Sequence, residues 1–148
     1  MAASEALHAG SGFTLSYSSN GSSYTEIAEV VDCTTPEFLV KEAKATHHSS
    51  PDNSTEAKPG LSETGKGMFT LNFTQSAFDA ILALRRSEYY WKFTFPLKSG
   101  QSTAATLVVI GFWSKLGGMK FDPEDANVIQ VQGELTRTRG LPTFTAGS

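Results

Sequence analysis

The sequence predicts a mainly β fold: a two-sheet β-sandwich or partly closed barrel of about seven or eight strands with one flanking α-helix. Three observations carry that prediction. Apolar and polar residues alternate strictly in short segments along most of the chain, a single segment has helical spacing, and Asn, Gly and Pro punctuate the boundaries between them.

Residues 1–12 are small and polar, a flexible segment expected to gain order only against a partner. Phe13, Leu15 and Tyr17 then alternate with Thr14 and Ser16 as a first strand, which runs into Asn20-Gly21, a strong hairpin signal. A second strand over 24–32 should pair with the first. It carries Ile27, Val30 and Val31 together with the acids Glu26, Glu29 and Asp32, which point either to ordinary solvation of an exposed strand or to a surface that repels polyanions. After the break at Thr34-Thr35-Pro36, an extended pattern resumes over 38–46 with Phe38, Val40, Ala43 and Ala45.

From His47 to Gly67 the apolar pattern disappears, and Leu61 is the only large aliphatic residue. A loop of about twenty residues is long for a compact domain and is usually functional. The region 46–67 is therefore read as a projecting polar arm. His47 and His48 lie near Asp52 and Glu56, but adjacent histidines on a strand point to opposite faces and no second ligand pair has a metal-binding spacing, so no metal site is expected.

Phe69, Leu71 and Phe73 alternate in the strand 68–74. The helix is placed at 76–88, with Ser76 as N-cap, Asp79 in the first turn, and Phe78, Ile81, Leu82 and Leu84 forming an apolar arc that must lie on something dry. Arg85 falls inside that arc; a stem packed on the core with its guanidinium in solvent is the simplest account. Alternation returns over 89–95, with Tyr89, Trp91, Phe93 and Phe95 on one face, until Pro96 ends it. The nearly continuous apolar run 104–113 reads as a strand buried on both faces, with Gly111 marking a bend or bulge. The last alternating strand spans 127–136. Residues 137–144 are extended but not expected to pack alone, and 145–148 form a flexible tail.

One domain is the natural count for 148 residues. With 15 acids against 12 bases and no basic patch, specific nucleic-acid binding is disfavoured. Cys33 is alone, which suits a reducing compartment. The opening MAASEALHAGSGF lacks the basic and apolar regions of a signal peptide, and no stretch is long enough for an apolar membrane span. Gly65-Lys66-Gly67 lacks the spacing of a phosphate loop, the serines lack a nucleophile-elbow context and no carboxylate pair stands out. Neither catalytic residues nor cofactors are expected. Tyr89, Tyr90 and Trp91 could offer a stacking platform, although aromatic residues at strand spacing are more often core.

The order of segments resembles the major tail tube protein of long-tailed, siphovirus-like bacteriophages. The resemblance covers 13–144 and rests on the opening FTLSYSSNGSSYTEIAEVVD, the break CTTPEF, the arm THHSSPDNSTEAKPGLSETG, the strand GMFTLNF leading into the helix, then YYWKFTFP, VVIGFW and VIQVQGELTRTRGLPTF. It implies a structural protein whose hexameric rings stack into a hollow tube, with DNA passing through the lumen without specific binding. Tape-measure, tail-tip and tail-terminator proteins would be its partners. The protein would reside in the virion tail after assembly in the host cytoplasm, without membrane insertion. Carried over, His47, His48, Ser49, Pro51, Asp52, Lys58, Pro59 and Leu61 of the arm would touch the adjacent ring or subunit. Arg137, Arg139, Leu141 and Phe144 would be assembly residues ordered in the tube, and Glu26, Glu29, Asp32 and Glu134 are candidate lumen-facing acids. The related tube of type VI secretion systems is a neighbouring alternative. A monomeric carbohydrate-binding sandwich using Tyr90 and Trp91 is a more distant one.

Overall fold

The computed structural model describes residues 12–44, 57–124 and 128–148. Nine strands and one helix occur among them: β1 (Thr14–Ser18), β2 (Thr25–Glu26), β3 (Val30–Thr34), β4 (Leu39–Lys44), β5 (Ala57–Glu63), β6 (Lys66–Asn72), α1 (Gln75–Ala83), β7 (Tyr89–Thr94), β8 (Thr106–Leu116) and β9 (Gln130–Thr145). Seven strands make one antiparallel sheet in the order β2-β1-β7-β8-β9-β6-β3, and β4 and β5 form a separate two-stranded sheet. The fold is mainly β, with two sheets, one helix and a partly closed main sheet, as the sequence predicts.

Closure comes from a segment expected to be a single strand. The stretch 24–32 divides: β2 pairs with β1 through Ser16↔Glu26 and Tyr17↔Thr25, whereas β3 pairs with β6 at the opposite edge. Between them Glu29 adopts φ 61°, a left-handed value that no continuous strand accommodates. The Ile27 amide donates to the Leu15 carbonyl at 2.8 Å, and the Glu29 carbonyl accepts from the Asn72 amide at 2.9 Å. Three residues thus strap the two margins of the curled sheet together. The Asn20-Gly21 hairpin is likewise looser than a two-residue turn. Residues 19–24 form a loop in which the Asn20 Oδ1 accepts from the Ser22 and Ser23 amides, while the Ser18 Oγ accepts from the Asn20 and Gly21 amides.

The concave face is the core. Leu15, Phe69, Leu71, Trp91, Phe93, Val109 and Leu135 converge there with Ile27, and Ile81 and Leu84 of the helix segment cover them. Phe69 lies over Gly133, where any Cβ would enter its ring, so this position requires glycine. Both indoles are satisfied: the Trp91 Nε1 donates to the Gly111 carbonyl and the Trp113 Nε1 to the Ile81 carbonyl, each at 3.0 Å. The second bond ties the helix to β8. The expected bulge at Gly111 is present, with the β8 and β9 registers shifting beside it.

Further expectations change. The helix is capped by Thr74, whose Oγ1 accepts from the Ala77 amide at 3.2 Å, rather than by Ser76. It ends at Ala83, because Arg86 takes φ 61° and turns the chain toward β7, so 76–88 overstates it. The closing segment 137–144 does not wait for a partner: β9 continues to Thr145, pairing with β8 as far as Thr106↔Thr145. Beyond it, in the predicted flexible tail, the Ser148 carbonyl accepts from the Ser102 and Thr103 amides.

Truncating Phe69 to Ala should cost about 3–5 kcal/mol, the usual range for a large buried side chain. Leu61→Ser, in the separate ribbon and 84% exposed, should stay within about 0.5 kcal/mol. Urea unfolding of both variants checks this contrast; equal losses would mean that the ribbon is part of the folded core.

Candidate functional site

The candidate site is the arm and its root. The region 46–67, expected as a loop forming a polar arm, contains a strand among its described residues: β5 occupies Ala57–Glu63 and pairs with β4 from Leu39↔Glu63 to Lys44↔Ala57. Pro59 and Gly60 hid this strand from the pattern, but a two-stranded ribbon has only edge strands, and there a missing donor is tolerated. A register shift between Val40 and Glu42 accommodates Pro59. Every described residue of the ribbon is exposed, including Leu39, Val40 and Leu61. Lys58, Pro59 and Leu61 of the predicted contact set therefore lie on β5. His47, His48, Ser49, Pro51 and Asp52 lie outside the described residues.

The ribbon is the far half of one long hairpin, whose near half, β3 and β6, belongs to the main sheet. The two halves part at 35–38 and 64–65. At this kink the backbones come very close: a Cβ on Gly65 would collide with the Glu37 carbonyl, so only glycine fits. Arg137 fills the junction. Its residue is 5% exposed; Nη1 donates to the Gly140 carbonyl at 2.6 Å and Nη2 to the Glu63 carbonyl at 2.7 Å. The guanidinium lies 4.8 Å from the centre of the Phe38 ring, and the Arg137 amide donates to the Gly65 carbonyl at 2.9 Å. Its Nε is buried without a hydrogen-bond partner among the described residues. Arg137, expected among the assembly residues, thus ties the arm to the body within this chain. The signal was available: the dry positions Val131, Gly133 and Leu135 continue in steps of two to Arg137.

Its predicted companions are elsewhere. Arg139 is exposed and its Nε donates to Glu88 at 2.8 Å. That hydrogen bond, followed by one from the Thr138 hydroxyl, holds the Glu88 carboxyl below the usual carboxylate range. Leu141 is 74% exposed, and Phe144 is exposed with its ring edge-on to Phe95 at 6.1 Å. On the side facing away from β8, β9 pairs with β6 only as far as Thr136↔Lys66, so 138–145 present an unpaired strand edge among the described residues.

Directly opposed residues of an antiparallel pair share a face. Glu26 opposes Ser16, which opposes Lys92; Asp32 opposes Thr70; Glu134 opposes Met68. These three acids consequently lie on the side of the sheet away from the core. Glu29 sits on the connecting strap, where its carboxylate accepts from the Asn72 Nδ2 at 3.3 Å. The same outer side carries Lys66, Lys92 and Arg139, so the acids are interspersed with bases. Lys92 lies over the Tyr24 ring at 4.2 Å. Trp91 is fully buried, which removes it from any stacking platform. Among the described residues there is no cluster of His, Cys, Asp and Glu able to hold a metal ion.

The fold has solved counterparts. A chain of the sheath/tube terminator of an extracellular contractile injection system (PVC) matches with a TM-score of 0.64 at 15% identity, over 97% of this chain and 100% of that one. A chain from the anti-feeding prophage tube-terminating cap gives 0.63 at 12% identity, covering 99% and 95%. One from the six-fold-symmetrised baseplate of the same particle gives 0.65 at 13%, covering 99% and 98%. The chain shares their fold. No family model matches the sequence, and no curated protein matches it.

Cys33 gives a pH test of the described packing. Burial, then the Asp32 carboxylate, pushes its thiol up to about 11. The folded chain therefore retains a proton that the unfolded chain releases at its lower, ordinary value. This contribution to stability is complete below the ordinary thiol range and is lost as pH rises toward 11. Chemical unfolding of the parent and Cys33→Ser across this range should show the parent losing more stability on the alkaline side; parallel profiles would place the thiol in open solvent.

Proposed function

We propose that this chain is a ring-forming subunit of the tube of a phage-tail-like particle, and specifically the major tail tube protein of a long-tailed bacteriophage. The observation that carries this reading is the ribbon β4–β5. An isolated two-stranded sheet is marginal in water, and this one exposes every described residue of both strands. Such an element is expected where another subunit will cover it. The shared fold with tube-terminator and cap-assembly chains supports the same reading.

In this proposal, hexameric rings close by heterologous contacts that use up the free sheet edges, the outer half of β9 among them. The arm, including His47, His48 and Leu61, lies against the adjacent ring or subunit. The outer face bearing Glu26, Asp32 and Glu134 turns toward the bore, where acids interspersed with bases give DNA no basic track to adhere to. Tape-measure, tail-tip and terminator proteins set the length and ends. Assembly takes place in the host cytoplasm before incorporation into the virion. The function is mechanical, and no catalytic step is assigned. A second reading, the tube or cap subunit of a contractile injection particle, is favoured by the sources of the matching chains.

Negative-stain electron microscopy across a concentration series, with and without purified tail tips or baseplates as initiators, tests the proposal. Rings or hollow tubes should form from the parent. They should be lost in Leu141→Lys and reduced to single rings when 41–61 are replaced by a short Gly-rich turn. A parent that stays monomeric even with initiators overturns the tube reading. Tubes recovered inside a contractile sheath select the second reading.

A further inference from the structure

We infer that Arg137 is the latch that sets the direction of the arm, holding the ribbon at a fixed angle to the sheet before any partner arrives. Without it, β4–β5 would be a strand pair attached through two short connections, 35–38 and 64–65. Four contacts converge on this one residue from both sides of the kink. Nη2 holds the Glu63 carbonyl at the end of β5, and the ring of Phe38, just before β4, lies against the guanidinium. The backbone amide holds the Gly65 carbonyl, and Nη1 closes onto the Gly140 carbonyl of its own strand. Both connections of the arm are therefore fastened to β9, the long strand of the body.

The chemistry favours a latch over a generic core contact. No ion pair with Arg137 occurs among the described residues, so its charge is offset by carbonyl dipoles and an aromatic face. A planar, forked cation can grip two carbonyls and stack at once, which a lysine cannot do. The unpartnered Nε leaves the junction one hydrogen bond short.

The inference does not rest on the tube reading, because the property belongs to the free subunit. Its test is a distance distribution by double electron–electron resonance on the dilute full-length monomer. Spin labels are placed at Lys58→Cys in the ribbon and Gln132→Cys in the body, in a Cys33→Ser background. The latched chain should give one narrow distance. Arg137→Met should spread that distance while cooperative urea unfolding of the body persists. Should Arg137→Met fail to fold, Phe38→Ala decides, since it removes only the exposed aromatic face: a broadened distribution supports the latch, and an unchanged one overturns it. A broad distribution in the parent, or a narrow one retained in folded Arg137→Met, also overturns it. Failure to form tubes would leave this result untouched, so the two readings fail separately.

Discussion

The architecture depends on the strap formed by Ile27, Ala28 and Glu29. The sheet curls because it is built around one apolar interior in which Leu15, Phe69, Leu71, Trp91 and Leu135 meet. Curling alone would leave two long margins with unmet donors and acceptors. The chain leaves β1's partner, crosses the gap in three residues and becomes β6's partner, so consecutive backbone groups serve both margins. Ile27 is buried while Glu29 turns left-handed into solvent, and that pairing of one anchored and one turned residue makes so short a crossing possible.

The strap also determines where the arm begins. Because β3 is forced to the margin beside β6, the β3–β6 pair has no further sheet to join on its outer side, and its continuation must leave the body. It does so at a kink too tight for side chains at Gly65, braced by Arg137. Rigid close packing at the root and complete exposure beyond it are thus two results of one topology. A mobile loop could have presented the same residues, but it would lose more entropy on docking than a ribbon already paired strand to strand.

Much of this was legible in the sequence, and the failures have distinct physical causes. The strands at Phe69-Leu71, Trp91-Phe93 and Val131-Leu135 were read because one buried face gives strict alternation. β5 was missed because a ribbon exposed on both faces has no such alternation, and AKPGLSE reads as turn chemistry. The split of 24–32 was missed because a single left-handed residue, Glu29, leaves no mark on hydropathy. The pairing of 137–144 was underestimated because Gly140 and Pro142 are turn formers, yet a register shift in the β8–β9 ladder absorbs them. Arg137 was placed among the assembly residues by resemblance alone, whereas its parity in the strand turns it inward. Parity was the better guide, since backbone carbonyls and a ring were present to receive the cation.

The arm's composition, finally, constrains how it can bind. A bare strand pair would invite indiscriminate edge-to-edge addition, and natural sheets guard against this with lysine, proline and bulges. This ribbon has all three: Lys41, Lys44 and Lys58, Pro59, and the register shift beside Glu42. Pro142 and Gly140 likewise limit how many ladder bonds the free half of β9 can offer. Edge pairing is therefore poorly suited to be the main source of affinity for the arm. In the proposed assembly, the selective contact would come from its faces, where Leu39, Val40 and Leu61 are exposed and could seat against a complementary apolar surface on another subunit. Such a contact requires the ribbon to arrive at the right angle, and this is why the geometry at its root matters to what happens at its tip.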